Sequence, residues 1–193
     1  MPASVLSWHG DWRRYGPWHN EGNGFTDKYF PMAPSIAVTP PLLASLDIAA
    51  ASAVIEDLVA TGKILDPEVK LSFAIDLPRD PTDPRELSEI PEVRLWFLRL
   101  DQRFPWLPLV LDWETGELGR YAAMLVPHQF STKDGIRYNP EALEIFVMGK
   151  IFAIAPWLQA QGIPQFTRLK FMTQMLGYEI DDGLFELLRS PVT

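Results

Sequence analysis

Hydrophobic residues along this chain fall into two kinds of block, three to four apart or strictly alternating, with proline and glycine between the blocks. After a short turn expected at Pro40 and Pro41, the first block is Ile48, Ala51, Ile55, Leu58 and Val59. It lines one side of a helix that Asp47 can cap, that runs to about Thr61, and that Gly62 is placed to end. Next, Val69, Leu71, Phe73, Ile75 and Leu77 alternate with Lys70, Ser72, Ala74 and Asp76, the period of a strand covered on one face. Helical spacing returns with Val93, Trp96, Phe97, Leu100 and Phe104, behind Pro91 at a first helical position and Glu92 in the first turn. The stretch from Trp106 to Trp113 is expected to be extended, confined by Pro108 to an edge or bulge. Gly116 and Gly119 bracket a turn or the start of a helix over Glu117 to Met124, and a second extended piece follows through Phe130.

The longest apolar block starts at Asn139, a good N-cap, followed by Pro140 and Glu141. Leu143, Ile145, Phe146, Val147, Met148, Ile151 and Phe152 make it apolar nearly all round, which predicts a helix central to the core. Pro156 is expected to kink or end it before Gly162. Pro164 opens a further helix in which Phe166, Leu169, Met172 and Leu176 share a side and which ends at Gly177, and Asp181 or Asp182 caps a last short one. Met172 and Met175 read as soft core filler. The fold class that these elements predict is α+β: a single compact domain over residues 36–190, predominantly helical with a small sheet of short strands.

Residues 1–35 do not share this patterning. Up to residue 31 they hold Trp8, Trp12, Trp18 and several glycines without a helical or alternating period, and they are expected to form a disordered or loosely attached arm. Met32 opens more ordinary sequence, which suggests it as the true start; a native N-terminal peptide beginning before it would sink that idea. His9 and His19 have no third metal ligand near them in sequence.

Between the alternating block and the helix at 91 lies the most unusual stretch. Pro81 and Pro84 push Asp80 and Asp83 out of the helical region, so Arg79, Asp80, Asp83, Arg85, Glu86 and Glu89 decorate a stiff loop. Its carboxylates invite a hard cation, since such ions want several converging oxygens. The interleaved arginines, and the lack of a calcium-loop glycine, favour mutual ion pairing instead. One reading is a solvated connector; the sharper one is a preorganised recognition surface on a rigid scaffold. His128 is the third histidine and has a free pKa near neutrality. It suits a general base, though a histidine hydrogen-bonded at a strand end is the commoner outcome. Trp96, Trp106 and Trp113 read as core or as anchors for a protein partner.

Composition narrows the chemistry. A net charge of −8 argues against non-specific nucleic-acid binding and suits a basic partner. With no cysteine the chain has no disulfide, thiol nucleophile or thiolate-held cluster. No apolar run approaches the roughly 20 residues that cross a bilayer, so direct membrane insertion is not expected. Nucleotide-binding glycine patterns, a nucleophile elbow and a helical zinc-binding histidine pair are all missing.

Several long runs then point to a family. RDPTDPRELSEIPEVRLWFLRLD at 79–101, PWLPLVLDW at 105–113, GELGRYAAMLVPHQFS at 116–131, IRYNPEALEIFVM at 136–148 and MLGYEIDD at 175–182 resemble the chlororespiratory reduction 6 family of cyanobacteria and chloroplasts. The resemblance spans roughly Leu71 to Leu188 and implies a cytoplasmic or stromal assembly factor for the photosynthetic NAD(P)H dehydrogenase-like complex. It implies service to the iron-sulfur subunit I of the peripheral arm; no catalytic residue carries over from it, and no cofactor is expected. Without cysteine, that service is to folding, docking or protection of the subunit. The expected interaction face is Arg79, Asp80, Asp83, Arg85, Glu86 and Glu89 with Trp96, Trp106 and His128. Two alternatives stand beside it: a metal-dependent hydrolase using Asp80, Asp83 and His128, and a structural subunit retained in the mature complex.

Overall fold

The computed structural model describes residues 34–66, 69–131, 133, 135–163 and 166–189. Strand β1 (Ser35–Val38) turns Ile36 and Val38 inward and Ser35 and Ala37 outward. It pairs in parallel with β2 (Ser72–Ile75), register Ser35 to Ser72 through Val38 to Ile75. Parallel strands need a long crossover, here formed by helices α1 (Pro40–Ser45) and α2 (Ala49–Ala60) and a single 3-10 turn. Asp47 does not cap by the standard geometry, but its Oδ1 accepts the Ala49 N–H at 2.8 Å and serves the same end. Gly62, with φ of 69°, turns the chain out of α2 as expected.

Helix α3 (Pro91–Arg103) is the centre of the core. Val93, Trp96, Phe97 and Leu100 are all buried, and Phe97 meets the rings of Phe73, Trp96 and Tyr121 edge-on at 5.0, 5.1 and 5.8 Å. Edge-to-face contacts of this kind add to the free energy of burying the rings themselves. Helix α4 (Glu117–Leu125) packs against α3, and a small antiparallel hairpin follows, β3 (His128–Ser131) with β4 (Gly135–Tyr138). The chain closes with α5 (Pro140–Ala160), α6 (Thr167–Met175) and α7 (Asp182–Arg189). The result is a single compact α+β fold, mostly helical with two small sheets.

The structure bears on four expectations. The stretch from Trp106 to Trp113 is not extended: Leu107–Val110 form a 3-10 turn, and one bridge, Leu71 to Leu111, is all that touches a sheet. Pro108 has no N–H to give to a ladder, whereas the turn needs donors only from Leu107 and Leu109. Helix α5 runs through Pro156 and ends at Ala160, before Gly162 as expected. Pro156 lies on the exposed side of that helix, where water can take up the Phe152 carbonyl that loses its partner. Nor is α5 buried all round: Val147, Ile151, Ile154 and Leu158 face the core while Ile145 is 73% and Phe152 52% exposed. Ser35, beside the expected domain start at about residue 36, belongs to β1; residues 1–33 of the expected arm, and Pro164 as a helix start, lie outside the described residues.

One polar cluster sits inside this packing. Lys150 on α5, 5% exposed, donates to Asp101 Oδ1 on α3 and to the Pro105 carbonyl at 3.2 Å, with Phe146 beneath its ammonium at 5.2 Å. Tyr121 donates to the same Asp101 oxygen at 2.8 Å. Burial pulls the lysine's pKa down, and Asp101 acts against that.

Candidate functional site

The charged loop runs from the end of β2 to the first turn of α3, and its own side chains fix its shape. Asp80 Oδ1 accepts both the backbone N–H of Thr82 at 2.8 Å and its hydroxyl at 2.6 Å, closing a turn around Pro81. Asp83 does the same for Arg85: Oδ1 takes its backbone N–H at 3.1 Å and Nε at 3.0 Å, and Oδ2 takes Nη2 at 2.8 Å. This two-pronged contact is the geometry in which guanidinium and carboxylate bind each other best. From the other side Arg79 Nη2 donates to the carbonyls of Asp83, at 3.3 Å, and of Arg85. Glu86 and Glu89 form a capping box, with the Glu86 N–H donating to Glu89 Oε2 at 2.6 Å.

The electrostatics follow from these contacts. Hydrogen bonds from Arg85 hold the Asp83 carboxyl down at about 2, and those from Thr82 hold Asp80 below its ordinary value. Arg85 is raised in turn, first by its bond to Asp83 and, more weakly, by Glu92 and Glu89. Asp80, Asp83 and Arg85 are therefore each held in the charged form by their contacts within the loop.

His128 joins the loop to the hairpin. Its Nε2 is 3.0 Å from the hydroxyl of Ser88, a buried residue, and its Nδ1 is 2.9 Å from the Val126 carbonyl. A carbonyl only accepts, so Nδ1 carries the hydrogen and, in the neutral ring, Nε2 accepts from Ser88. Both ring nitrogens are thus engaged by the protein, and the histidine ties the end of the loop to the hairpin. Asp80 Oδ1 and both oxygens of Asp83 are used inside the loop, and among the described residues no three His, Cys, Asp or Glu side chains gather to hold a metal ion. Asp80, Asp83 and His128 do not form such a metal-binding group.

Trp96 and Trp106 also leave the proposed face. Trp96 is fully buried and donates from Nε1 to the Asp47 carbonyl at 2.6 Å. Trp106, 8% exposed, stacks on Trp157 at 4.4 Å and 8°. Both indoles meet the core, and neither reaches a partner without unfolding it. Their apolar bulk at helical or near-helical spacing was compatible with both fates; burial decides it.

Two residues missed by sequence reasoning take their place. Leu95 and Leu98 on the solvent side of α3 are 50% and 45% exposed. They follow Glu92 at three-residue steps, and Glu92 lies within electrostatic reach of Arg85. A signal was present, because six of the eight residues from Val93 to Leu100 are apolar, more than one buried face can hold. The surface is thus a charged, self-paired loop continued by an apolar pair. Such an arrangement can dock a protein.

Among the described residues no helix is long and apolar enough to cross a membrane. No solved structure matches the chain. The family model for chlororespiratory reduction 6 matches residues 38–187, which takes in every element from the end of β1 into α7. With most of its length matched, this chain belongs to the chlororespiratory reduction 6 family.

Proposed function

We propose that the chain is an assembly factor that works by binding, holding the iron-sulfur subunit I while that subunit is built into the peripheral arm of the photosynthetic NAD(P)H dehydrogenase-like complex. Family membership links it to the biogenesis of that complex. The observation that carries the finer reading is the loop from Arg79 to Glu89, whose shape is fixed before any partner arrives. A surface ordered in advance loses little conformational entropy on docking, which is where much of the cost of association lies. The chain's net charge of −8 steers it toward a basic client surface, and Leu95 and Leu98 supply apolar contact beside the loop. Its action is in the cytoplasm or stroma, on a subunit not yet attached to the membrane arm, and it leaves before the complex is finished. No catalytic step is part of the proposal.

Reversal of Arg85 and Glu86 together is a poor test, because it also breaks the pairing with Asp83 and the capping box. A cleaner variant is Glu92→Lys with Leu95→Ser, both on the exposed side of α3. It should keep the melting temperature and lose most of its co-purification with subunit I. Undiminished capture by the folded double variant would refute this surface. Fractionation supplies the second readout: an assembly factor is found with intermediates and is missing from the mature complex, whereas a structural subunit stays.

A further inference from the structure

A second surface cluster lies on other elements. Arg168, in the first turn of α6, places its guanidinium over the ring of Trp113 at 5.1 Å. Phe171, on the same helix, is 56% exposed, and its ring centroid is 6.0 Å from that of the same indole. Trp113 is itself held, since its Nε1 donates to the Pro108 carbonyl at 2.8 Å. The three side chains form one small shelf: a fixed indole, a cation on its face, and an open aromatic ring at its side.

Unlike several other arginines, Arg168 has no acidic partner among the described residues. Arg79 and Arg85 pair with Asp83, Arg103 with Glu56 and Arg120 with Glu117. Arg168 is half-buried, yet among the described residues it meets no carboxylate and no hydrogen-bond acceptor. Burial alone pulls its pKa down, with no neighbouring acid to offset it. Partial desolvation of a guanidinium without an acceptor is unfavourable, and in a chain with 25 acidic residues against 17 basic ones a counter-charge would be easy to supply. Its planar fork binds a carboxylate through two parallel hydrogen bonds, and stacking on an indole leaves those in-plane N–H groups free to do so. Arg, Trp and an exposed aromatic together are also the residue types that dominate binding energy at protein interfaces.

We propose that Arg168, Trp113 and Phe171 form a docking site for an acidic peptide segment of a partner protein, whose Asp or Glu side chain takes the guanidinium while a neighbouring apolar side chain lies on Phe171. An acidic peptide fits better than a nucleic-acid phosphate, because the site holds a single cation rather than a basic groove and the open ring of Phe171 asks for an apolar neighbour. The site has the opposite polarity to the loop that precedes α3. The two together would orient one client or engage two, and each stands or falls by its own residues.

The test uses the full chain and a blocked, fluorescein-labelled dodecapeptide with a Glu-Leu-Glu-Phe centre, read by fluorescence anisotropy. A second peptide has Gln for both Glu residues. The acidic peptide should bind roughly ten-fold more tightly than the neutral one, the difference expected of one charge-assisted pair. Arg168→Gln should abolish that preference, and Arg168→Lys should lose most of it, since a lysine keeps the charge without the fork. Phe171→Ser, at an exposed position, should weaken both peptides without changing the fold. Equal binding of the two peptides, or an Arg168→Gln chain that still prefers the acidic one, would overturn the proposal. So would a self-association, seen by sedimentation, that Arg168→Gln removes while the peptide leaves it unchanged, because the occupant would then be a second copy of this chain.

Discussion

The buried contact between Lys150 and Asp101 gives a sharp test of how α5 is held to α3. The two partners differ in their access to water: the Lys150 side chain is 6% exposed and that of Asp101 21%. Asp101→Asn leaves the ammonium with neutral acceptors only, and removal of one partner of a buried pair costs about 3–5 kcal/mol. An independent bound comes from letting the lysine lose its proton instead. With a free value of 10.5 and an assay at pH 7, neutralisation costs at most about 5 kcal/mol, at about 1.4 kcal/mol per pH unit. Lys150→Met, by contrast, leaves Asp101 with the Tyr121 hydroxyl and with water, and the new side chain packs on Phe146, so the loss should be about 1–2 kcal/mol. In the double variant no uncompensated charge remains, and its stability should return to within about 1 kcal/mol of the native chain. Urea unfolding followed by far-UV circular dichroism measures all four proteins, with slopes unchanged if only stability differs. Asp101→Asn should also gain stability as pH rises toward 10.5, because its unfolded state binds the lysine proton more tightly than its folded state does. Equal losses in the two single variants, or additive losses in the double, would show that the cluster is not an ion pair with one dry and one wet end.

Three further perturbations probe other steps. Gly149→Ala should stabilise the chain by about 1 kcal/mol in the same urea assay, since no heavy atom lies within 4 Å of the added methyl and an exposed helical glycine is entropically costly. Pro156→Ala should add about 1–3 kcal/mol by returning an N–H to the Phe152 carbonyl; a loss would mean that the proline packs in a way its exposed position does not suggest. Asp83→Asn concerns the loop: a carboxyl held at about 2 against 3.8 unfolded contributes stability above the unfolded value and loses it as pH falls toward 2. The stability gap between native and Asp83→Asn proteins should therefore close between about pH 4 and pH 2 in thermal melts, and a constant gap would contradict the pairing with Arg85.

Much of the scaffold was legible because local rules and tertiary packing agree there. Pro91 and Glu92 start α3, Asn139 caps α5 by accepting the Ala142 N–H at 2.8 Å, and the alternation around Phe73 marks β2. The illegible parts depend on partners distant in sequence. β1 offers only Ile36 and Val38 as inward residues, too few to display a period, and its strand partner lies beyond two helices. Lys150 interrupts an apolar helix for a reason seen only with Asp101 in place, 49 residues away. Which side of α5 is exposed likewise follows from what packs against it. At the candidate site the self-pairing of the arginines and carboxylates could be read from their interleaving within a proline-stiffened loop. The fate of the tryptophans could not, since Trp96 and Trp106 sit at positions equally suited to a core or an anchor.

The central claim is that the loop from Arg79 to Glu89 is the face presented to subunit I. A photo-cross-linking amino acid placed at Thr82, an exposed loop position, tests it directly in cells that are assembling the complex. A control chain carries the same probe at Leu187, which is 73% exposed on α7. The loop probe should give a covalent product with subunit I, identified by mass spectrometry, and the control should not. A product from Leu187 with none from Thr82, or no product with subunit I from either, would contradict the assignment.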